Sequence, residues 1–399
     1  MQSEIGHLLR GLDESVAGTM SFQPVLSSIR QVLVERGIDA DRVQMPMTQI
    51  LGFRHPTLWG VILTWHRQRA FADTIILDHD TAAERGLSIH GPADPVFVED
   101  GVPKTPYFYV FGDRDWLFQC DLNAPPHDFP VFEEMRADGF NHYACFRLDM
   151  PATRTPAVIS LSSEAPFPED LRARLESLRG LLGLVVYAAC RTSQAHKIAV
   201  TYVGPQTGPR VLDGFVVRGS SETVRAGVMF CDVRGFTALS ARVGEQIVPI
   251  MNQIFEVIGA AAKRRDGEIL KFIGDAMLLM FPIDDGSEAR VAQAMVDTVM
   301  EPLKRVDGKA KELGYELAAG FGCHIGEVIY GNIGTPDRLD FTVMGPSVNL
   351  ASRLESLCKT VQARGVFSAQ VQAHCRGLEA AGAHQLKGIE EPVPVWIIR

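Results

Sequence analysis

The chain has 399 residues, a formal net charge of −9, 46% hydrophobic and 22% charged residues, which is the make-up of a globular protein long enough for two domains. The negative balance and the lack of any dense Lys/Arg block exclude a protein whose main task is to grip nucleic acid or an anionic membrane, though a small anionic ligand remains possible if local cations or metal ions receive it. No apolar run reaches the roughly 20 residues a spanning helix needs. The longest is GLLGLVVYAAC at 180–190, and the acidic start MQSEIGHLLRGLDE lacks a basic n-region and an apolar core, so a cytoplasmic protein without a membrane span is expected.

In chain order, residues 1–165 alternate short strand-like runs with Pro/Gly/Asp-rich loops: GVILTW (60–65), YFYVF (107–111), HYACFRL (142–148) and AVISLSS (157–163). That alternation predicts a mixed α+β domain. Its strand-rich pattern and AVISLSS resemble a PAS or GAF sensor, which implies an unknown signal or ligand there. His55, His66, His79, His90, His127 and His142 fall in this domain; none has a partner at ligand spacing, and an isolated histidine is ordinarily surface or satisfied core. Seven cysteines are scattered without a CxxC pair, which reads as reduced core residues.

A helix is predicted from FPEDLRARLESLRGLLGLVVYAAC, with Pro168 at its first position and Glu169 and Asp170 favouring the positive end of the dipole. Its apolar positions Leu171, Leu175, Leu178, Leu182, Val185 and Ala189 keep a 4-3-4-3-4 spacing. Such a seam suits a parallel coiled coil over a connector at 166–200, or else packs on its own domain. YVGPQTGPRVLDGFVVRGSSETV follows, and 201–224 reads as a linker before a C-terminal domain at 225–399. There the order is strand, helix, helix, hairpin, helix, strand pair, helix, strands, an α+β layer of helices against one mixed sheet.

Three stretches of this second half carry chemistry. AGVMFCDVRGFTALS puts Asp232 at a strand end, with Phe236 and Thr237 opening a helix; such a carboxylate can hold Mg²⁺ and free amides at a helix start face an anion, although an aspartate alone is more often a helix cap or a loop residue. ILKFIGDAMLLMF is a strand pair interrupted by Lys271 and Asp275, with a turn expected at Ile273–Gly274 that lifts Asp275 to the sheet's lip. RLDFTVMGPSVNLASRLESL carries Asn349 and Arg353 four apart on one helix face, able to meet a ribose and a phosphate together, or simply solvent.

FCDVRGFTALS, LKFIGDAMLLMF, GNIG followed by DFTVMGPSVNLASRLE, and LKGIEEPVPVW together resemble the motifs of class III nucleotidyl cyclases, in the family's order and over about 225–399. The resemblance implies a ferredoxin-like catalytic domain and an adenylate cyclase that converts ATP to cyclic AMP and pyrophosphate. It implies two Mg²⁺ or Mn²⁺ ions per site on Asp232, Asp275 and the Val233 backbone, and adenine recognition by Lys271 and Thr342. It further implies ribose orientation by Asn349, stabilisation of charge on the α-phosphate by Arg353, and phosphate contacts from Lys387 and Arg338. Because the family splits these sets between subunits, a homodimer with shared sites is implied. Pro346 stands where many members carry an acidic residue. A guanylate cyclase, or an inactive domain that binds nucleotide or dimerises, are the alternatives.

Overall fold

In the computed structural model, residues 2–17, 22–48, 58–68, 70–78, 98–99, 102–103, 105–110, 115–126, 129–151, 157–215, 217–312 and 318–399 are described. Four of the N-terminal histidines singled out above, His55, His79, His90 and His127, lie outside them. The described residues fall into two units, Met1–Lys197 and Ile198–Arg399.

In the first unit, amphipathic helices α1 (Gln2–Ala17) and α2 (Gln23–Glu35) precede strands β1 (Arg42–Thr48), β2 (Leu58–His66) and β3 (Ala70–Asp78). A short ribbon, β4 (Val98–Glu99) and β5 (Val102–Pro103), and a 3₁₀ turn at Pro106–Val110 follow, then β6 (Leu117–Asp121), α3 (Pro130–Ala137), β7 (His142–Arg147) and β8 (Val158–Ser163). Six strands form one antiparallel sheet in the order β3-β2-β1-β8-β7-β6. The run at 107–111, expected as a strand, is over 107–110 this 3₁₀ turn instead; Tyr109 stacks on Phe118 and the Tyr107 hydroxyl meets that of Ser160 at 3.2 Å, so packing of these half-buried tyrosine rings accounts for part of its apolar character.

The connector is α4 (Leu171–Glu176) and α5 (Arg179–Val203). Pro168 lies three residues before the first helical residue, and Asp170 occupies the cap position, its carboxylate taken by Arg174 Nε at 2.7 Å. The stripe Leu171, Leu175, Leu178, Leu182, Val185 and Ala189 is buried in the first unit's own core with Leu26, Ile29, Phe146 and Ile159. Of the two readings of its spacing, own-domain packing is the one realised, and these residues are not free to form a coiled-coil seam. Gly183 shows how close that packing is: a Cβ there would stand 2.0 Å from the Asp149 carbonyl oxygen.

The second unit starts inside α5. The Gly/Pro-rich stretch, read above as a linker, holds a short helix, α6 (Thr207–Leu212), and the first strand begins before residue 225, with β9 (Ser221–Arg234). Then come α7 (Phe236–Val243), α8 (Ile247–Lys263), β10 (Glu268–Ile273), β11 (Ala276–Pro282), α9 (Glu288–Glu312), β12 (Ala318–Thr335), β13 (Arg338–Met344), α10 (Pro346–Leu357), β14 (Gly365–Ser368), α11 (Ala369–Gln372), β15 (Glu379–His384) and β16 (Val393–Ile398).

The sheet runs β10-β11-β9-β12-β14-β16-β15, with β13 added to the far half of β12. Among the described residues only β12 and β14 pair in parallel, so this is the expected mixed sheet with flanking helices. Alternation along β9 sends Met229, Cys231 and Val233 under α8 and α9 and sends Ala226 and Val228 to the opposite face. Asp232 and Arg234 share that opposite face, where α10 lies. Gly322 admits α10, since a Cβ there would stand 2.1 Å from the Glu355 backbone nitrogen.

Leu182→Ala should lower the stability of the first unit by about 2–5 kcal/mol, the usual cost of a buried leucine truncation. Denaturant unfolding of the full chain checks this; a loss under half a kcal/mol would show that the stripe is not core.

Candidate active site

Two carboxylates meet where β9 ends and the β10–β11 hairpin turns. Asp232 pairs in register with Ala276, the residue after Asp275, and the Val233 amide donates to the Asp275 carbonyl at 3.2 Å. The two turn residues are Gly274 and Asp275, one position later than expected, because Ile273 pairs with Ala276. Gly274 takes φ +64°, which a glycine-first two-residue hairpin turn demands. Partial burial, and then the neighbouring charge of Asp275, raise the Asp232 carboxyl above the usual range. Just beyond, Gly235 (φ +84°) caps α7, whose first residues are Phe236, packed on the core, and Thr237, exposed. Their amides lie among the unpaired donors of a helix start.

Lys271 reaches the opposite face by a register shift. Pairing slips between Ile269 and Lys271, so Lys271 stands opposite Leu278, a residue of the cluster that includes Ala351 of α10. Without the slip, Lys271 would point with Ile269 toward α8 and α9. Its ammonium meets Asp340 Oδ2 at 2.6 Å. Thr342, two residues along β13 from Asp340, is buried opposite Gly331. Arg338 begins β13 and is exposed, as is Lys387 in the loop between β15 and β16.

Pro346 supplies the first residue of α10, after Gly345 at φ +128°. Asn349 and Arg353 lie on its exposed face; Ala351, Leu354 and Glu355 are buried. Within one chain the fold thus brings Asp232 to Asp275 and Lys271 to the strand of Thr342, while Asn349 and Arg353 face outward.

Sequence reasoning missed Asp340 and Glu355. Glu355 Oε1 is buried without a hydrogen-bond partner, as is Arg234 Nε. Both border the position a Cβ on Gly320 would fill, at 3.2 and 3.1 Å, and Gly320 is the register partner of Asp232. Burial, then the Asp232 charge, pushes the Glu355 carboxyl up to about 7. Helical phase could have flagged Glu355, four residues after buried Ala351, and strand alternation could have flagged Asp340 beside Thr342.

The adenylate and guanylate cyclase catalytic domain family matches residues 219–397. This segment belongs to that family. The cyclase domain is 31% identical over 182 residues to the adenylate cyclase of Anabaena cylindrica (44% of this chain, 35% of that protein). It is 32% identical over 154 residues to adenylate cyclase 1 of Rhizobium meliloti strain 1021 (38% and 23%). The chain thus spans about a third or less of the length of these relatives. Among solved structures, a bacterial light-regulated adenylyl cyclase aligns with a TM-score of 0.46 and 24% identity, over 58% of this chain and 66% of that one.

The cyclase domain is joined tightly to the stretch that precedes β9. Gly204 (φ +107°) leaves room for Glu268, whose Oε1 accepts the Gln206 amide at 3.1 Å. The Thr207 and Tyr330 hydroxyls meet at 2.6 Å, and the Arg210 guanidinium lies over Phe215, Tyr330 and Phe341 while pairing with Glu222. These contacts fall on β10, β12 and β13, the strands that carry or flank Lys271 and Thr342.

Two carboxylates at neighbouring strand ends fit a divalent ion of the Mg²⁺ type, which is held by one or two carboxylates together with substrate phosphates. Among the described residues no group of three His, Cys, Asp or Glu is arranged to cage a metal. No described helix is long and apolar enough to cross a membrane.

The Glu355 shift sets a pH dependence. The unfolded chain releases this proton near 4.5 and the folded chain near 7, so its contribution to stability is full below about 4.5 and is lost as pH rises through 7. Without divalent ions, wild type should lose stability across that window relative to Glu355→Gln. Parallel pH curves in denaturant titrations would contradict the assignment.

Proposed function

We propose that the chain is an adenylate cyclase that forms 3′,5′-cyclic AMP and pyrophosphate from ATP, working as a homodimer with two shared sites. The observation that carries this reading is the convergence of Asp232 and Asp275 at adjacent strand ends, within a domain that also carries Lys271, Thr342, Asn349 and Arg353.

Asp232, Asp275 and the Val233 carbonyl would hold two Mg²⁺ or Mn²⁺ ions, which when bound would favour ionisation of the ribose 3′-hydroxyl and neutralise phosphate charge. The chain's own groups do the rest. Lys271 and Thr342 hold the base edge, Asn349 orients the ribose, and Arg353 places a guanidinium on the α-phosphate, where charge grows as the oxygen attacks. Lys387 and Arg338 grip the terminal phosphates, and the amides of Phe236 and Thr237 face them. No side-chain nucleophile is needed, because the attacking oxygen belongs to the substrate.

The exposure of Asn349 and Arg353 supports a site completed by a second copy. So do the exposed apolar residues Phe272, Ile273, Ile329 and Ile333 on the cyclase domain. The first unit, as a PAS- or GAF-like sensor for an unidentified signal, would act through the stretch that Glu268, Tyr330 and Arg210 lock to the sheet.

Incubation with each of the four nucleoside triphosphates and Mg²⁺ or Mn²⁺ should yield cyclic AMP from ATP, and Asp275→Asn should cut the rate about a thousandfold. Preference for GTP, or nucleotide binding without product, would replace this reading with one of its two rivals. Asp232→Ala and Arg353→Ala chains, each inactive alone, should regain part of the activity when mixed; verified heterodimers that stay inactive would count against shared sites.

A further inference from the structure

The ion pair of Lys271 with Asp340 has no place in the roles assigned above. The Nζ to Oδ2 distance is 2.6 Å, and the two side chains are 27% and 65% exposed. A pair so open to water contributes little to folding. What it does supply is direction, because a lysine ammonium on four rotatable bonds is otherwise free to sweep.

The support beneath it is fixed. Asp340 and Thr342 lie on one face of β13, opposite Ile333 and Gly331 of β12. Gly331 packs so tightly that a Cβ would stand 2.3 Å from the Ser220 carbonyl oxygen, and Asn332 exchanges backbone hydrogen bonds with Gly219 and Ser220 at 3.1 and 2.9 Å. The carboxylate is thus mounted on a hairpin held from below, and the register shift in β10 delivers Lys271 to it.

The base edges differ at two adjacent positions, both of which matter to this lysine. Adenine offers an acceptor at N1 beside a donor at N6, whereas guanine offers a donor at N1 beside an acceptor at O6. An ammonium has three donors and no acceptor. One donor spent on Asp340 fixes where the other two point.

We propose that Asp340 is a specificity-determining residue: it anchors Lys271 so that a remaining N–H meets adenine N1, and keeps the ammonium from swinging across to guanine O6. Thr342, two residues along the same face, is then the neighbour able to accept from the N6 amino group. This inference rests on the adenylate cyclase reading and deepens it. Asp340 acts through Lys271 and does not itself touch the reacting atoms.

The test compares kcat/KM for ATP and GTP in wild type, Asp340→Ala, Asp340→Asn and Asp340→Glu, with competition binding of non-cyclisable ATP and GTP analogues and thermal unfolding of each variant. Asp340→Ala should reduce the ATP preference roughly tenfold, the loss of one charge-assisted hydrogen bond, mostly through KM for ATP. Asp340→Glu should restore part of it, and the unfolding temperature should barely move. An unchanged ATP to GTP ratio, or equal losses for both nucleotides with lowered unfolding temperature, overturns the inference. If wild type cyclises neither nucleotide, the functional reading fails separately, and the analogue competition still decides: a preference for the ATP analogue that Asp340→Ala abolishes sustains the anchoring role, and equal binding in both proteins overturns it.

Discussion

Two carboxylates held beside one another where a strand ends and a hairpin turns form the constraint around which the C-terminal domain is built. Asp232 is partly withdrawn from water and feels the charge of Asp275, so its ionised form is disfavoured. Glu355, on the same sheet face, feels both. A fold gains nothing in stability from collecting like charges. The arrangement persists because the surrounding strands over-determine it: β9 is paired on both sides from Ala226 to Asp232, and the glycine at 274 fixes the turn. A divalent cation is the counter-charge that such a cluster favours.

From that constraint the rest of the domain follows in layers. The face of β9 away from the carboxylates is filled by Met229, Cys231 and Val233 under α8 and α9, which makes the strand rigid. The other face is kept thin by Gly320 and Gly322, so that α10 lies directly on the sheet and its outward residues Asn349 and Arg353 have a firm base. The β10 register shift turns Lys271 to this face. Charge and glycine placement, more than hydrophobic content, distinguish the functional face from the structural one.

Much of this was legible in the sequence, and the gaps have physical reasons. The strand end at Asp232, the helix opened by Pro346 and the shared helix face of Asn349 and Arg353 rest on local periodicity and capping, which short stretches specify well. The Lys271 orientation was not legible from alternation, because one slipped residue reverses it. Asp340 pairs with Lys271, 69 residues away, and Glu355 feels the charge of Asp232 on a distant strand, which no local pattern reveals. The heptad-like stripe at 171–189 misled in part, since a helix packing on its own sheet uses the same spacing as a helix pair. Likewise YFYVF is apolar where Tyr107 and Tyr109 pack against Ser160 and Phe118, not because it is a strand.

The central claim is that Asp232 and Asp275 form the metal-binding centre of a cyclase domain. Its most direct test is Mn²⁺ titration of wild type, Asp232→Asn and Asp275→Asn, followed by electron paramagnetic resonance in the presence of a non-cyclisable ATP analogue. Wild type should bind Mn²⁺, with affinity strengthened by the analogue, and each variant should lose at least tenfold in affinity. Equal Mn²⁺ binding by all three proteins would contradict the account.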